Sequence, residues 1–505
     1  MNKLLLSTKR TITFIILLAI FVGSITGIAF LITQIDEQWI YLSLVLFYLV
    51  NCVFVFIIYT QKRQHESKFS WIYLVLLFPI IGHVIFLTYG LIFKNKYELK
   101  LLNDPKFHIS TYKDLINVDN DNGIKSETLK QYANINQSLV LDANYKLYNE
   151  GYRFYEKLME VLFKAKKNIY IVTYIIKKSE ISKEFLEVMR KKADEGVEIK
   201  WLVDDFGAMP SQKRLLKKLS KHPNIEIRFI GKIYYPFVLA SSFLRNHQKF
   251  IIVDDLVVFS GGNNISDEYA SLSKKYGHWI DLNYEITGPY INNYIVHFAL
   301  FWKIITRKDI EIKKHLFIDV KDQIYHNKSI LVTESPSFDH SEAELFWIKM
   351  ISSAKKSIKI ATPYFSVTSA LKKQIILALK CGVDVTIYFP GFPDKKTVHK
   401  IGIYQLKELT KYGLKIKIYK DHFLHTKCGL IDDKIAWIGT NNLDSRSMFQ
   451  QYETMDIVEG ETVKDIQGIF DLYDQHCVFM EKVPQLCKKP NVIEKFLYDL
   501  VKPLI

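Results

Sequence analysis

RNHQKFIIVDDLVVFSGGNNISDEY, residues 245–269, and HTKCGLIDDKIAWIGTNNLDSRS, residues 425–447, state one pattern twice. In the first copy His247, Lys249 and Asp254 precede Gly261, Gly262, Asn263 and Asn264. In the second, His425, Lys427 and Asp432 precede Gly439, Thr440, Asn441 and Asn442. The apolar runs Phe250 to Val253 and Cys428 to Ile431 read as buried strands. On a strand, a His and a Lys two residues apart project from the same face, so each copy offers an imidazole and an ammonium to one ligand.

The text before each copy is duplicated as well. AKKNIYIVTYIIKKSEISKEFLEVMRKKADEGVEIKWLVDD (165–205) and AKKSIKIATPYFSVTSALKKQIILALKCGVDVTIYFP (354–390) each give a short apolar strand, an amphipathic stretch, a Gly-Val turn at Gly196 or Gly382, and another strand. The first strands are expected at Ile169 to Ile175 and Ile358 to Ala361. Helices are expected at Phe185 to Ala193 and Leu371 to Leu379. Strands alternating with helices predict an α/β class of sheets covered by helices, and the duplication predicts two tandem domains with a cleft between them. The boundaries fall at 1–100, 101–325 and 326–505.

Two histidines placed on opposite sides of one phosphorus atom can carry out a two-step exchange. One attacks to give a phosphohistidine, and the other protonates the departing alcohol and deprotonates the incoming one. Lys249 and Lys427 supply positive charge for the phosphoryl oxygens. The glycines allow close backbone approach, and Asn264 and Asn442 are candidates to bind substrate oxygens without adding negative charge. Asp281, in HWID, and Glu453, in QYE, are candidates to orient the imidazoles through the ring nitrogen facing away from phosphorus. Asp254 and Asp432 join the catalytic set by spacing, although a strand-end position suits them to holding a turn. A single strand histidine is ordinarily structural. His222, His278, His399 and His422 lack a duplicate and stay in that class. Lysine is the companion common to both copies and ligates metals poorly when protonated, so neither metal nor cofactor is expected.

The chain has 505 residues, 49% of them apolar and 24% charged, with a formal net charge of +15. That favours an anionic partner, whether nucleic acid, bilayer or phosphate ester. Its five cysteines form neither a CxxC pair nor a zinc spacing, and an odd number argues against a fully paired disulfide framework. Three uncharged stretches open the sequence: Thr11 to Ile35, Trp39 to Gln61 and Ser70 to Phe93. Each is long enough to cross a hydrocarbon core of about 30 Å. The third contains Pro79 and Gly82, which permit a kink or a re-entrant turn. A multi-pass membrane anchor with two or three crossings is expected.

At these residues the chain resembles the phospholipase D superfamily and, within it, the bacterial cardiolipin synthase family. Further matching text includes NHQK (246–249), ATPYF (361–365), GTNNLDSRS (439–447) and the closing KPLI (502–505). The family pattern departs only at uncharged positions, with Gln451 in place of Asn and Val367 in place of Pro. The resemblance implies two phospholipase D-like domains packed as a pseudo-dimer around one active site. It implies a bacterial cell-membrane enzyme that joins two phosphatidylglycerol molecules into cardiolipin and releases glycerol, with His247 as nucleophile and His425 as acid and base. Rival readings are a phospholipase D-type hydrolase or another headgroup transferase, and less readily a membrane-bound nuclease. Membrane phospholipids are the expected partners, not nucleic acid.

Overall fold

The protein is described from a computed structural model covering residues 37–78, 80–116, 127–136, 138–233, 240–273, 277–318, 323–488 and 490–501. The first apolar stretch, Thr11 to Ile35, and Pro79 lie outside the described residues.

In the N-terminal unit, residues Trp39 to Thr60 of helix α1 (Glu37–Thr60) make the one described helix long and apolar enough to cross a membrane. At 1.5 Å per residue it spans about 33 Å. The third apolar stretch is not one continuous helix. Helix α2 (His65–Leu77) stops at Phe78, Ile80 adopts a φ of 69°, and a short helix α3 (Ile81–Ile85) follows. Gly82 lies so close to α2 that a Cβ there would meet the Leu74 carbonyl oxygen at 2.4 Å. Only glycine permits that approach. Trp71, Val75 and Phe86 pack with Ile58 of α1 in a small apolar cluster.

Among the described residues the remainder of the chain is built on one large mixed sheet and two small two-stranded sheets, flanked by helices. Its first half contains β1 (Leu141–Tyr148), β2 (Asn168–Thr173), β3 (Glu198–Asp204), β4 (Ile225–Ile230), β5 (Arg245–Asn246), β6 (Phe250–Val253), β7 (Val257–Gly261), β8 (Trp279–Ile280) and β9 (Asn283–Thr287). The second half contains β10 (Asn327–Glu334), β11 (Ser357–Ala361), β12 (Phe365–Ser366), β13 (Asp384–Pro390), β14 (Lys415–Tyr419), β15 (Phe423–Leu424), β16 (Cys428–Ile431), β17 (Ile435–Gly439), β18 (Leu443–Asp444), β19 (Gln451–Gly460) and β20 (Cys477–Phe479). Outward from the centre the order is β1-β9-β7-β6-β2-β3-β4 on one side and β10-β19-β17-β16-β11-β13-β14-β20 on the other. Each strand of the first series has its counterpart at the same rank in the second, which is the duplication read from the sequence. The halves join where β1 pairs antiparallel with β10.

The helices expected from periodicity form as α4 (Glu180–Asp194) and, beyond a basic helix α5 (Pro210–Leu219), as α6 (Ser369–Lys380). Ser179 caps α4 by accepting from the Ser182 N–H, and Thr368 caps α6 by accepting from the Leu371 N–H. Their apolar faces cover different cores: Phe185, Val188 and Met189 pack with β2 and β3, while Leu371, Ile375 and Leu379 pack with β11 and β13.

Candidate active site

The two histidine segments do not lie on regular strands, as the two-residue spacing had suggested. His247 to Lys249 fill the break between β5 and β6, and His425 to Lys427 fill the break between β15 and β16. In each break the chain changes partners. β6 pairs with β2 of its own half, but β5 pairs in parallel with β19 of the other half, setting Gln451 against Arg245 and Tyr452 against Asn246. β15 likewise leaves the second half to pair in parallel with β8, setting Phe423 against Trp279 and Leu424 against Ile280.

One residue further along each register, the chemistry follows from the pairing. The His247 N–H donates to the Tyr452 carbonyl at 2.9 Å and the His425 N–H to that of Ile280 at 2.7 Å. Glu453 therefore comes opposite His247, with Nδ1 2.9 Å from Oε1, and Asp281 comes opposite His425, with Nδ1 2.6 Å from Oδ2. Each ring is oriented by a carboxylate of the other half. This leaves both Nε2 atoms on the side away from the carboxylates. Tyr174 packs edge-on to His247 at 5.1 Å between centroids, and Trp279 lies 4.8 Å from His425.

Both lysines are buried beside their histidines. Lys249 Nζ donates to the His247 carbonyl at 2.6 Å, while Lys427 Nζ donates to the His425 carbonyl and stands 3.8 Å from Asp281. Burial lowers the Lys249 ammonium to about 7, against the pull of Glu453, and that of Lys427 to about 8, against the pull of Asp281. The His247 imidazolium is held far below its ordinary range by burial and then by Lys249, Lys427 and His425. His425 falls to about 4 through burial and Lys427, opposed by Asp281. The four groups act on one another across the halves, so the duplicated motifs form one electrostatic centre.

The two carboxylates differ. Burial opposes ionisation of Asp281 but is outweighed by Lys427 and His425, with a further hydrogen bond from the Leu282 N–H, and its acidity is strengthened. Burial dominates at Glu453 and raises it to about 8 against the opposing charge of Lys249. His425 thus faces an ionised partner, whereas ionisation of the partner of His247 is resisted.

Gly262 is fixed by this geometry, since a Cβ there would lie 2.1 Å from Asp281 Oδ1. Of the two asparagines expected to meet substrate, Asn264 and Asn442, the first is fully engaged within the protein and the second only in part. Asn264 is committed within the protein, donating to the Tyr269 hydroxyl at 2.7 Å and accepting from the Ile175 N–H at 3.0 Å. Asn442 donates to Ser447 Oγ at 3.2 Å. Asn442 Oδ1 is left without a partner among the described residues, as are both side-chain polar atoms of buried Asn263 and Oδ1 of buried Asn441, the preceding residues of each pair. Their place beside Gly262 and Thr440 was visible in the motif.

Asp254 and Asp432 stand outside the centre, contrary to their inclusion in the catalytic set. Asp254, with φ 55°, accepts the backbone N–H groups of Lys166, Lys167 and Asn168. Asp432, with φ 53°, accepts those of Lys355, Lys356 and Ser357. Each sits at the far end of a strand from its histidine, five residues or about 16 Å beyond the lysine. They fasten the β6–β7 and β16–β17 turns to the starts of β2 and β11, away from Lys249 and Lys427.

The family described as "Cardiolipin synthase, PLD-like domain" matches residues 158–302 and 347–473, once in each half. A cardiolipin synthase of Clostridium perfringens strain 13 is 31% identical over 414 residues, covering 80% of this chain and 86% of that protein. Cardiolipin synthase 2 of Staphylococcus epidermidis RP62A is 31% identical over 430 residues, covering 82% and 88%. Among solved structures, the phosphatidylserine synthase of Haemophilus influenzae Rd KW20 shares the fold with a TM-score of 0.56 at 18% identity, covering 74% of this chain and 99% of that one.

Proposed function

The chain belongs to the cardiolipin synthase family with phospholipase D-like domains, and on that premise we propose that it moves a phosphatidyl group from one phosphatidylglycerol to another through a phosphohistidine. The observation that carries this reading is the crossed pairing of His247 with Glu453 and His425 with Asp281. It makes one site from two halves, supporting the pseudo-dimer of tandem domains divided near residue 325.

His247, kept neutral by burial and by its two lysine neighbours, donates its Nδ1 hydrogen to Glu453 and attacks phosphorus with the Nε2 lone pair. The bond from phosphorus to the glycerol headgroup oxygen breaks, and His425 gives that oxygen a proton. The phosphodiester brings negative charge that offsets the lysines, and ionised Asp281 steadies the imidazolium, so His425 holds its proton in the complex. The primary hydroxyl of a second phosphatidylglycerol then loses its proton to His425 and attacks phosphorus, breaking the bond to Nε2. Cardiolipin and glycerol are the products, and both histidines return to their starting states. Lys249 and Lys427, with the unpartnered Nδ2 of Asn263, donate to the phosphoryl oxygens. Helix α1 supports a cell-membrane location, and we place the other two apolar stretches in the anchor as well.

The test is to incubate the purified protein with phosphatidylglycerol in vesicles and resolve the lipids by mass spectrometry. Cardiolipin with stoichiometric glycerol is expected. Phosphatidic acid alone would assign hydrolysis, and a product formed only with another added alcohol would assign a different headgroup transfer.

A further inference from the structure

The strands that deliver the centre also deliver an apolar surface which the chemistry above does not use. β3 ends at Asp204 and β13 at Pro390. Ten residues beyond the two Gly-Val turns, each is followed by a phenylalanine, Phe206 and Phe392. A buried position would suit both, yet Phe206 is 57% exposed and Phe392 43% exposed. Met209 and Leu215, at the start and middle of α5, are 51% and 48% exposed. The same helix turns Arg214, Lys217 and Lys218 to solvent, while Gln212 and Leu216 fix its inner side.

Both loops border the centre. Asp204 is fully buried and accepts from the Phe206 N–H at 2.8 Å through Oδ1, which also faces the Arg245 guanidinium at 3.2 Å. Through Oδ2 it accepts from the Asn246 N–H at 2.9 Å, one residue before His247. In the other loop, Lys395 lies over the Tyr364 ring at 4.8 Å, and its charge reaches His247. Exposed rings and a methionine beside a basic helix form the pattern of a surface seated in an anionic bilayer, with apolar side chains among the acyl chains and cations at the headgroups.

We propose that Phe206, Met209, Leu215 and Phe392, with Arg214, Lys217 and Lys218, form an interfacial surface that seats the mouth of the centre on anionic phospholipid, and that Asp204 fastens this surface to the His247 segment. The inference rests on the lipid reading of the centre. The apolar side chains shorten the path of a lipid from the bilayer to phosphorus. The basic helix concentrates anionic lipid at the same place.

The test compares the full chain with its Phe206→Glu, Met209→Glu, Phe392→Glu triple variant on two forms of phosphatidylglycerol. The variant is expected to lose about tenfold or more of its rate on vesicles of long-chain lipid and to stay within about twofold on monomeric short-chain lipid in detergent solution. Equal rates on vesicles, or an equal loss on both substrates, would overturn the proposal. A second readout needs no turnover. Phe206→Trp, reconstituted in vesicles containing brominated phospholipids, is expected to add a quenchable emission component, and its absence would overturn the proposal. Quenching with no wild-type turnover of either lipid would support the surface and place the failure in the reading of the centre.

Discussion

The Nδ1 atom of His425 lies 2.6 Å from the carboxylate of Asp281, a residue 144 positions earlier in the chain. That carboxylate is ionised, while Glu453, opposite His247, is pushed up to about 8. Asp281→Asn removes the charge that supports an imidazolium at His425 and is expected to lower kcat by about 10³- to 10⁴-fold. Glu453→Gln keeps an oxygen for the His247 Nδ1–H and is expected to cost about 10- to 100-fold. Steady-state rates on phosphatidylglycerol check the order, and a Glu453→Gln loss as large as that of Asp281→Asn would contradict it.

The lysines set the alkaline side of the pH profile. Their cations are present below their folded-state values and are lost as pH rises through about 7 for Lys249 and about 8 for Lys427. Because kcat/KM reports the free enzyme, it is expected to decline above about pH 4, where His425 loses its proton, and to fall more steeply as pH rises from about 7, where Lys249 loses its charge. Bound phosphate favours the ammonium form, so the corresponding fall in kcat lies at higher pH. Lys249→Arg, whose guanidinium keeps its charge, is expected to move the limb of kcat/KM upward toward that of Lys427. A limb unmoved by Lys249→Arg would exclude Lys249 as its source.

The two histidines are separable with a phosphatidyl ester of p-nitrophenol, whose leaving group needs no proton. His425→Ala is expected to release a burst of p-nitrophenolate and accumulate an acid-labile phosphoenzyme. His247→Ala is expected to give neither, and the reverse outcome would exchange their roles. On phosphatidylglycerol both variants are expected to be inactive.

Asp432 accepts three backbone N–H groups, from Lys355, Lys356 and Ser357, at the end of its strand away from His425. Asp432→Ala leaves those donors without their acceptor and puts alanine at a φ of 53°. It is expected to cost about 1–3 kcal/mol of stability. The fraction that folds is expected to retain its kcat/KM, measured against active enzyme after thermal denaturation has established the loss.

The strand and helix alternation was legible because Ile169 to Val172 is an apolar run buried in the sheet and Ile358, Ile360 and Ala361 bury around the partly exposed Lys359, while Phe185 and Leu371 lie on the inner faces of helices. The histidines and lysines were legible because they occur twice. The crossing of Asp281 and Glu453 was not, because it depends on β5 and β15 leaving their own halves, a long-range choice that neither dipeptide encodes by its own periodicity. Asn264 and Asn442 were favoured over their neighbours by motif position. Yet Asn264 is engaged by Tyr269 and Ile175 in the fold, contacts that spacing cannot reveal. The third apolar stretch reads as a span by composition, but the turn after Phe78 divides it into helices too short to cross singly.

The exchange of β5 and β15 also bears on biosynthesis. His247 leaves the ribosome well before Glu453, which follows it by 206 residues, so the first half alone has the proposed nucleophile without the carboxylate that orients it. Contacts of such long range close late in folding. On the proposed chemistry a partly made chain is therefore harmless to lipids, and competence arrives only once Glu453 has been made and paired with His247.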